Sequence, residues 1–324
     1  MKPTERANDS TVAYYSEIRA SKIDWLWYPY IPFGKITILQ GDPGEGKTTL
    51  AVHIAATLSQ GRPLPFSQQS LAPCTVIYQS AEDNPSDTIK PRLQANGADC
   101  ARIAFIEDDV ARLTLTDDRL ENAIRKTEAR LVILDPLQAF VPDDCDLFRA
   151  GDMREAMSRL SSVAAATNCA ILIIGHMNKN SGTKHLYRGI GSIDIAAIAR
   201  SVLLVGRPDD HSSLRIVAHL KSNLAACGNS IGFELDELNN LTWIELDEVY
   251  TASDLLSNRA FEESKQGYAE RRLHEVLSDA AVGATEAFQA MVALGFTKRT
   301  VDRAKKELRV KSYQKDGKWF WRLP

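Results

Sequence analysis

Residues 41–50 read GDPGEGKTTL, with glycines at 41, 44 and 46 followed by Lys47 and Thr48 in the spacing G-x-x-x-x-G-K-[ST]. The chemistry of that pattern is phosphate binding. Glycines let successive backbone N–H groups curl around an anion, the lysine reaches the β- and γ-phosphates, and the threonine hydroxyl can ligate Mg²⁺. The cradle comprises Gly41, Asp42, Pro43, Gly44, Glu45, Gly46, Lys47, Thr48 and Thr49. A helix starting near Lys47 would add the positive end of its dipole. The motif falls between a strand-like run, KITILQ (35–40), and a helix-like one, which is the context it requires.

Hydrolysis of a nucleoside triphosphate also needs an acid to organise the metal and a group to orient water. LVILD ends in Asp135, at the edge of a parallel sheet where ligands bind, so Asp135 joins Thr48 as the expected metal residue. VIYQSAED ends another strand and puts Glu82 and Asp83 near the same edge. Glu82 is the expected catalytic base, with Asp83 the fallback; two adjacent acids also suit a plain solvated loop. His176 ends the strand AILIIGH, where a γ-phosphate sensor would stand.

These residues need elements to hold them. After KITILQ, Ala51, Ile54, Ala55 and Leu58 recur at helical spacing and Gly61 supplies a stop. CTVIYQS, RIAFIE, RLVILD, AILIIGH, SVLLVG and LRIVAHL read as strands, with helices at about 88–94, around Leu120, Ala123 and Ile124, and at about 152–167. Alternating strands and helices predict an α/β fold, a mostly parallel sheet flanked by helices. The expected boundaries are an N-terminal extension at 1–22, a nucleotide-binding domain at 23–249, a polar linker at 250–267 and a small unit at 268–324. The aromatic lead-in IDWLWYPYIPFG packs on the domain edge or stacks on a base.

Composition narrows the setting. With 324 residues, 44% hydrophobic and 25% charged, the chain reads as an ordinary globular protein. It has no apolar run long enough to span a bilayer and no secretory leader, so no membrane is expected. Five separated cysteines give neither a zinc site nor a disulfide framework, and a cytoplasmic setting is the default. Net charge is −3, yet residues 295–324 carry ten Lys or Arg against three acids, a net +7, leaving −10 for the rest. A basic end on an acidic body points to an anionic partner there.

In this order, DWLWYPYIPFGKITILQGDPGEGKTTLA, VIYQSAED, LVILDPLQAF, IIGHMNK, LYRGIGSIDIAAIARSVLLVG and VAHLKSNLA resemble the RecA-type P-loop ATPases. Within them, the chain is similar to the RepA-like AAA-type ATPases of plasmids, phages and other mobile elements. The resemblance covers residues 24–235, about two-thirds of the chain. It implies ATP with Mg²⁺, catalytic roles for Lys47, Glu82 and His176, and a homo-oligomeric ring, hexameric by preference, with ATP at subunit interfaces. Ring enzymes insert a cation into the neighbour's site; Arg200 and Lys221 are both candidates. The loop HMNKNSGTKHLYRGIGS would face the ring channel, where Lys179, Lys184 and Arg188 would grip single-stranded DNA; a mobile surface loop is the plain alternative, and Arg188 fits a nucleotide contact equally well.

Past the linker, TEAFQAMVALGFTKRTVDRAKKEL reads as helix, turn, helix. Val301, Ala304 and Leu308 share one face of the second helix, and Arg299, Arg303 and Lys306 the opposite one, suited to DNA phosphates. Asp316-Gly317 between two strand-like runs predicts a hairpin. Together these make a C-terminal winged helix-turn-helix domain, which binds DNA or docks a protein.

The leading expectation is a DNA-associated, ring-forming ATPase, a helicase or translocase serving replication of a mobile element. The alternative is an ATP-switched DNA-binding or loading protein that does not unwind. A small-molecule kinase would not need the basic C-terminal unit. A transcription factor would not need Lys47, Asp135 and Glu82 together.

Overall fold

The computed structural model describes residues 14–67, 71–108, 111–143, 145–147, 149–176, 193–208, 212–237, 239–246, 249–260, 265–278, 281–294, 296–315 and 317–323. A short hairpin, β1 (Trp25–Trp27) and β2 (Ile31–Pro32), precedes β3 (Ile36–Gly41) and α1 (Lys47–Ser59). Then follow β4 (Val76–Ser80), a wide turn at Pro85–Ile89, α2 (Lys90–Ala95), β5 (Ile103–Ala104), α3 (Asp118–Thr127) and β6 (Leu131–Asp135). The series continues with α4 (Ala150–Thr167), β7 (Ala170–His176), α5 (Ile193–Ile198), β8 (Ser201–Gly206), β9 (Arg215–Ser222), β10 (Ile231–Leu235) and β11 (Leu241–Ile244).

Among the described residues, β3 to β11 form one sheet in the order β11-β10-β9-β8-β3-β7-β6-β4-β5. The strands from β8 to β5 in that order run parallel, and β9, β10 and β11 extend the β8 side antiparallel. The central strands are apolar on both faces because helices cover both. Leu39, Leu131 and Ile133 point to the face holding α1 and α2, while Ile38, Val132 and Leu134 point to the face holding α3 and α4. A fully buried Leu or Ile contributes about 1.5–3 kcal/mol, so these two clusters fix the sheet between its helix layers. Of the lead-in aromatics, Trp27, Tyr30 and Phe33 pack while Tyr28 is exposed; the indole N–H of Trp27 donates to the Pro65 carbonyl at 2.8 Å.

Three expectations change. RIAFIE contributes only the two-residue β5, because Gln79 takes over the ladder: its amide accepts from Ile106 N–H at 2.9 Å and donates to the Ile106 carbonyl at 3.1 Å. The sheet gains a strand, β10, beyond the expected series. The segment read as a linker holds α6 (Ala252–Ala260), whose Ala252, Leu255 and Leu256 are buried against Leu204, Ile216 and Ala218. Their i, i+3, i+4 spacing buries one narrow face, and the remaining polar residues made the segment look unstructured.

The C-terminal residues form α7 (Lys265–Val276), β12 (Val282–Gly283), α8 (Ala284–Ala293), α9 (Lys298–Glu307), β13 (Lys311–Lys315) and β14 (Lys318–Arg322). Their sheet has the order β12-β14-β13, and Leu273, Met291, Phe296, Val301, Ala304 and Trp321 share a separate core. Lys315 pairs with Lys318, as a hairpin requires, and Asp316 of the expected turn lies outside the described residues. Among the described residues no helix is long and apolar enough to cross a membrane.

Candidate active site

The register of the parallel strands assembles the site. Gly41 pairs with His176, and Ser80 pairs with Asp135. With β3, β7, β6 and β4 adjacent at roughly 4.8 Å per step, Gly41, His176, Asp135 and Ser80 end their strands across about 14 Å of one sheet edge, Gly41 and His176 two residues further along than Asp135 and Ser80.

The 41–46 loop leaves β3 and enters α1 at this edge. Gly46 has φ +83°, a conformation that L side chains rarely adopt, and turns the chain into the helix. At Gly41 a Cβ would lie 2.4 Å from the Val205 carbonyl oxygen, so any side chain would push β3 off β8. Lys47 is buried and its Nζ donates to the carbonyls of Gly41 at 3.0 Å and Asp42 at 2.8 Å, which holds the loop closed on itself. The first-turn amides of α1 lie ahead of its hydrogen-bonded ladder and bound the same concavity.

Thr48 Oγ1 donates to Asp135 Oδ2 at 2.8 Å, bringing together the two residues expected to hold the metal. Asp135 is buried, and burial pushes its carboxyl pKa above the ordinary value. Hydrogen bonds from Thr48 and Tyr78 oppose that rise, Glu82 adds to it, and His176 opposes it. Tyr78 is a contributor the sequence did not reveal: its buried hydroxyl donates to the same Oδ2 at 3.1 Å.

Glu82 lies in the bend after β4 with its side chain 65% exposed, and its Oε2 is 3.9 Å from His176 Nε2. Asp83 has a different role, because Arg92 of α2 holds it at 2.8 Å and its backbone N–H donates to Ser80 Oγ at 3.0 Å. Of the two acids, Glu82 faces the histidine and Asp83 fastens the loop.

Two further residues join the edge unannounced. Arg207, one residue past β8, places Nε 3.6 Å from Glu45 Oε2. Arg215, at the start of β9, lies beside Gly46, where a Cβ would meet its Nε at 3.5 Å. Burial, and then Arg207, lower the Arg215 pKa. Arg207 ends an apolar run at the edge where β3 also ends, and that signal was available in the sequence.

The two candidate neighbour-directed cations sit elsewhere. Arg200 is exposed and precedes β8, at the opposite edge of the sheet, and Lys221 pairs with Val202 near it. Lys221 Nζ donates to the carbonyls of Ala196 (2.6 Å), Ala197 (3.1 Å) and Ala199 (2.9 Å), closing the end of α5. Lys179, Lys184 and Arg188 lie outside the described residues. On α9, Arg299, Arg303 and Lys306 are exposed, opposite the buried Val301 and Ala304.

The residues fit a Mg²⁺-bound nucleoside triphosphate: the loop's glycine conformation, the closed lysine and the Thr48–Asp135 pair are the parts of a phosphate and metal site. When bound, Mg²⁺ would be held by Thr48 and Asp135 and would neutralise negative charge that develops on the phosphates.

Comparisons with known proteins agree with this geometry. The chain is 25% identical over 228 residues to the DNA repair protein RadA of Halalkalibacterium halodurans, covering 68% of this chain and 42% of that protein. It is 25% identical over 196 residues to RadA of Mycobacterium tuberculosis (60% and 36%) and 24% identical over 210 residues to RadA of Bacillus subtilis (63% and 40%). The chain thus spans about two-fifths of the length of these curated relatives. One solved ATPase domain superposes with a TM-score of 0.51 at 13% identity, covering 66% of this chain and 85% of that one, a likeness of fold. A family model described as an AAA domain matches residues 2–182, more than half of the chain. By that match, and with the phosphate loop and parallel sheet to support it, the chain belongs to the AAA domain family.

Proposed function

We propose that the protein hydrolyses ATP with Mg²⁺ and couples hydrolysis to DNA, as a ring-forming helicase or translocase of the kind that mobile elements use in replication. The observation that carries the hydrolytic part is the cluster at the sheet edge: Lys47, the Thr48–Asp135 pair at 2.8 Å, and Glu82 facing His176 at 3.9 Å. Glu82 orients and deprotonates the attacking water, Lys47 bears on the phosphates, and His176 senses the γ-phosphate beside Glu82.

The ring part rests on the two edges of the sheet. The six residues of β8 span roughly 20 Å, so Arg200 cannot reach the phosphate loop of its own chain. A cation exposed at the far edge suits a neighbour's site, in a ring where each loop faces the next subunit's opposite edge. Arg200 fits that role better than Lys221, whose ammonium closes α5. The C-terminal unit, residues 268–324, is a winged helix whose α9 presents Arg299, Arg303 and Lys306 to duplex phosphates. Lys179, Lys184 and Arg188 contact a single strand in the channel. The RadA likenesses, proteins named for DNA repair, support DNA as the partner.

The test is steady-state ATP hydrolysis by the full chain with Mg²⁺, with and without single-stranded DNA. Stimulation by the strand supports the motor. Turnover indifferent to DNA overturns it in favour of an ATP-switched DNA-binding protein.

A further inference from the structure

The hairpin β13–β14 carries a surface that neither the ATP site nor α9 uses. Strand alternation sorts its side chains into two sets. Ser312, Gln314, Trp319 and Trp321 share one face, and Trp321 is buried in the core with α9, its ring under Lys305 Nζ at 3.8 Å. The other face therefore looks outward, and it holds Lys311, Tyr313, Lys315, Phe320 and Arg322. All five residues of β13 are exposed, Tyr313 at 37%.

On that outer face Tyr313 and Phe320 are direct cross-strand partners, with ring centroids 5.8 Å apart and planes within 23°. Arg322 lies 5.7 Å from the Tyr313 ring centroid. Lys311 and Lys315 flank Tyr313 along the strand, each about 7 Å away by strand geometry. On the other side of Phe320 the paired residue is Gly283, which offers no side chain to cover the ring. Phe320 lies outside the buried core of the unit.

We infer that this outer face is a stacking platform for single-stranded DNA, with bases laid on the Tyr313–Phe320 pair and phosphates met by Lys311, Lys315 and Arg322. Three features select the partner. The cations call for an anion, and residues 295–324 carry a net +7 on an otherwise acidic chain. Two near-parallel rings call for flat apolar ligands, and nucleobases have such faces. A duplex buries those faces in its own stack, so only unpaired bases can use the rings. This deepens the reading of the protein as a DNA-coupled ATPase and rests on it, while placing a second single-strand contact away from the ATP site and from α9.

The test measures anisotropy of a labelled oligo(dT) and of a labelled blunt duplex with the full chain at low salt. Tyr313→Leu keeps apolar packing on Phe320 but removes the ring; it should weaken oligo(dT) binding about tenfold and leave duplex binding unchanged. Tyr313→Phe should keep wild-type affinity. The pair Lys311→Ser and Lys315→Ser should lower oligo(dT) affinity and flatten its salt dependence. A thermal melt and the DNA-free ATP hydrolysis rate check that each variant is folded. Wild-type affinity for oligo(dT) in both Tyr313→Leu and the lysine pair overturns the platform, as does an equal loss on duplex. If those variants are unchanged while single strands still stimulate ATP turnover, the platform alone fails. A wild-type chain that ignores oligo(dT) altogether removes the DNA-coupled reading as well.

Discussion

The phosphate edge of the sheet and the basic face of α9 are both charged, but they are built in opposite ways. At the sheet edge the charges that close the loop and flank the expected metal position are buried, Lys47 and Asp135 each 4% exposed and Glu45 9% exposed, while Glu82 stands open to solvent. They come from segments far apart in the chain and are positioned by strand register. On α9 the charges are exposed and come from one helix, positioned by its 3.6-residue period. Buried charges act through geometry and low dielectric, and dissolved salt barely reaches them. Exposed cations act through their number, and salt screens them. The first arrangement suits bond-breaking and the second suits holding a polyanion.

That contrast is tested most severely at the sheet's far edge. If Arg200 completes a neighbour's site, Arg200→Ala should lower ATP turnover about 10³-fold, as for a cation placed on the transferring phosphoryl group. Mixing Arg200→Ala subunits with Lys47→Ala subunits should restore part of the activity, because some interfaces then combine an intact loop with an intact arginine. No recovery on mixing, or full activity of Arg200→Ala alone, sinks the trans role. Glu82→Gln comes next: ATP binding should stay nearly intact while turnover falls about 10²–10⁴-fold, read by single-turnover hydrolysis beside equilibrium nucleotide binding. Unchanged turnover would remove Glu82 as the base and leave the water to another group.

For α9 the same contrast predicts a salt effect. Replacing Arg299, Arg303 and Lys306 together by Ala should reduce the slope of log K for duplex DNA against log salt by about 2.7. Between 50 and 200 mM salt that slope corresponds to roughly 40-fold in affinity, while DNA-free ATP hydrolysis stays at the wild-type rate. An unaltered slope would mean that α9 faces a partner other than DNA.

The difference in construction also decides what the sequence discloses. Lys47, Thr48, Asp135 and His176 were legible because each follows or ends an apolar strand, and parallel strands bring their C-terminal ends to one edge. The two faces of α9 were legible because helical periodicity is local. Tyr78 and Arg215 were not, since their relevance depends on which strands are neighbours: β4 beside β6, and β9 beside β8 beside β3. Strand order is set by packing across the whole sheet, and no short window of residues encodes it. The α6 segment escaped for a related reason, because its three buried residues acquire meaning only against β8 and β9.

The smallest expected effect is the most specific to the buried edge. Burial holds the Asp135 carboxyl pKa above its ordinary value, while the hydroxyls of Thr48 and Tyr78 favour its ionised form. An acid raised in this way binds more protons folded than unfolded, between its ordinary and its raised pKa. Its contribution to stability therefore grows as pH falls through that window and is lost as pH rises through the folded pKa. The carboxylate must be ionised to serve the metal, so catalysis runs the other way and fails on the acid side. Tyr78→Phe deletes one donor to that carboxylate while keeping the buried ring. Its pKa should climb further, and the acid limb of the turnover–pH profile should shift to higher pH, with the Mg²⁺ requirement rising along it. At neutral pH the change should stay within about fivefold, since such a hydrogen bond contributes on the order of 1 kcal/mol. An acid limb that does not move would reduce Tyr78 to a packing residue, leaving Thr48 as the hydroxyl that tunes Asp135.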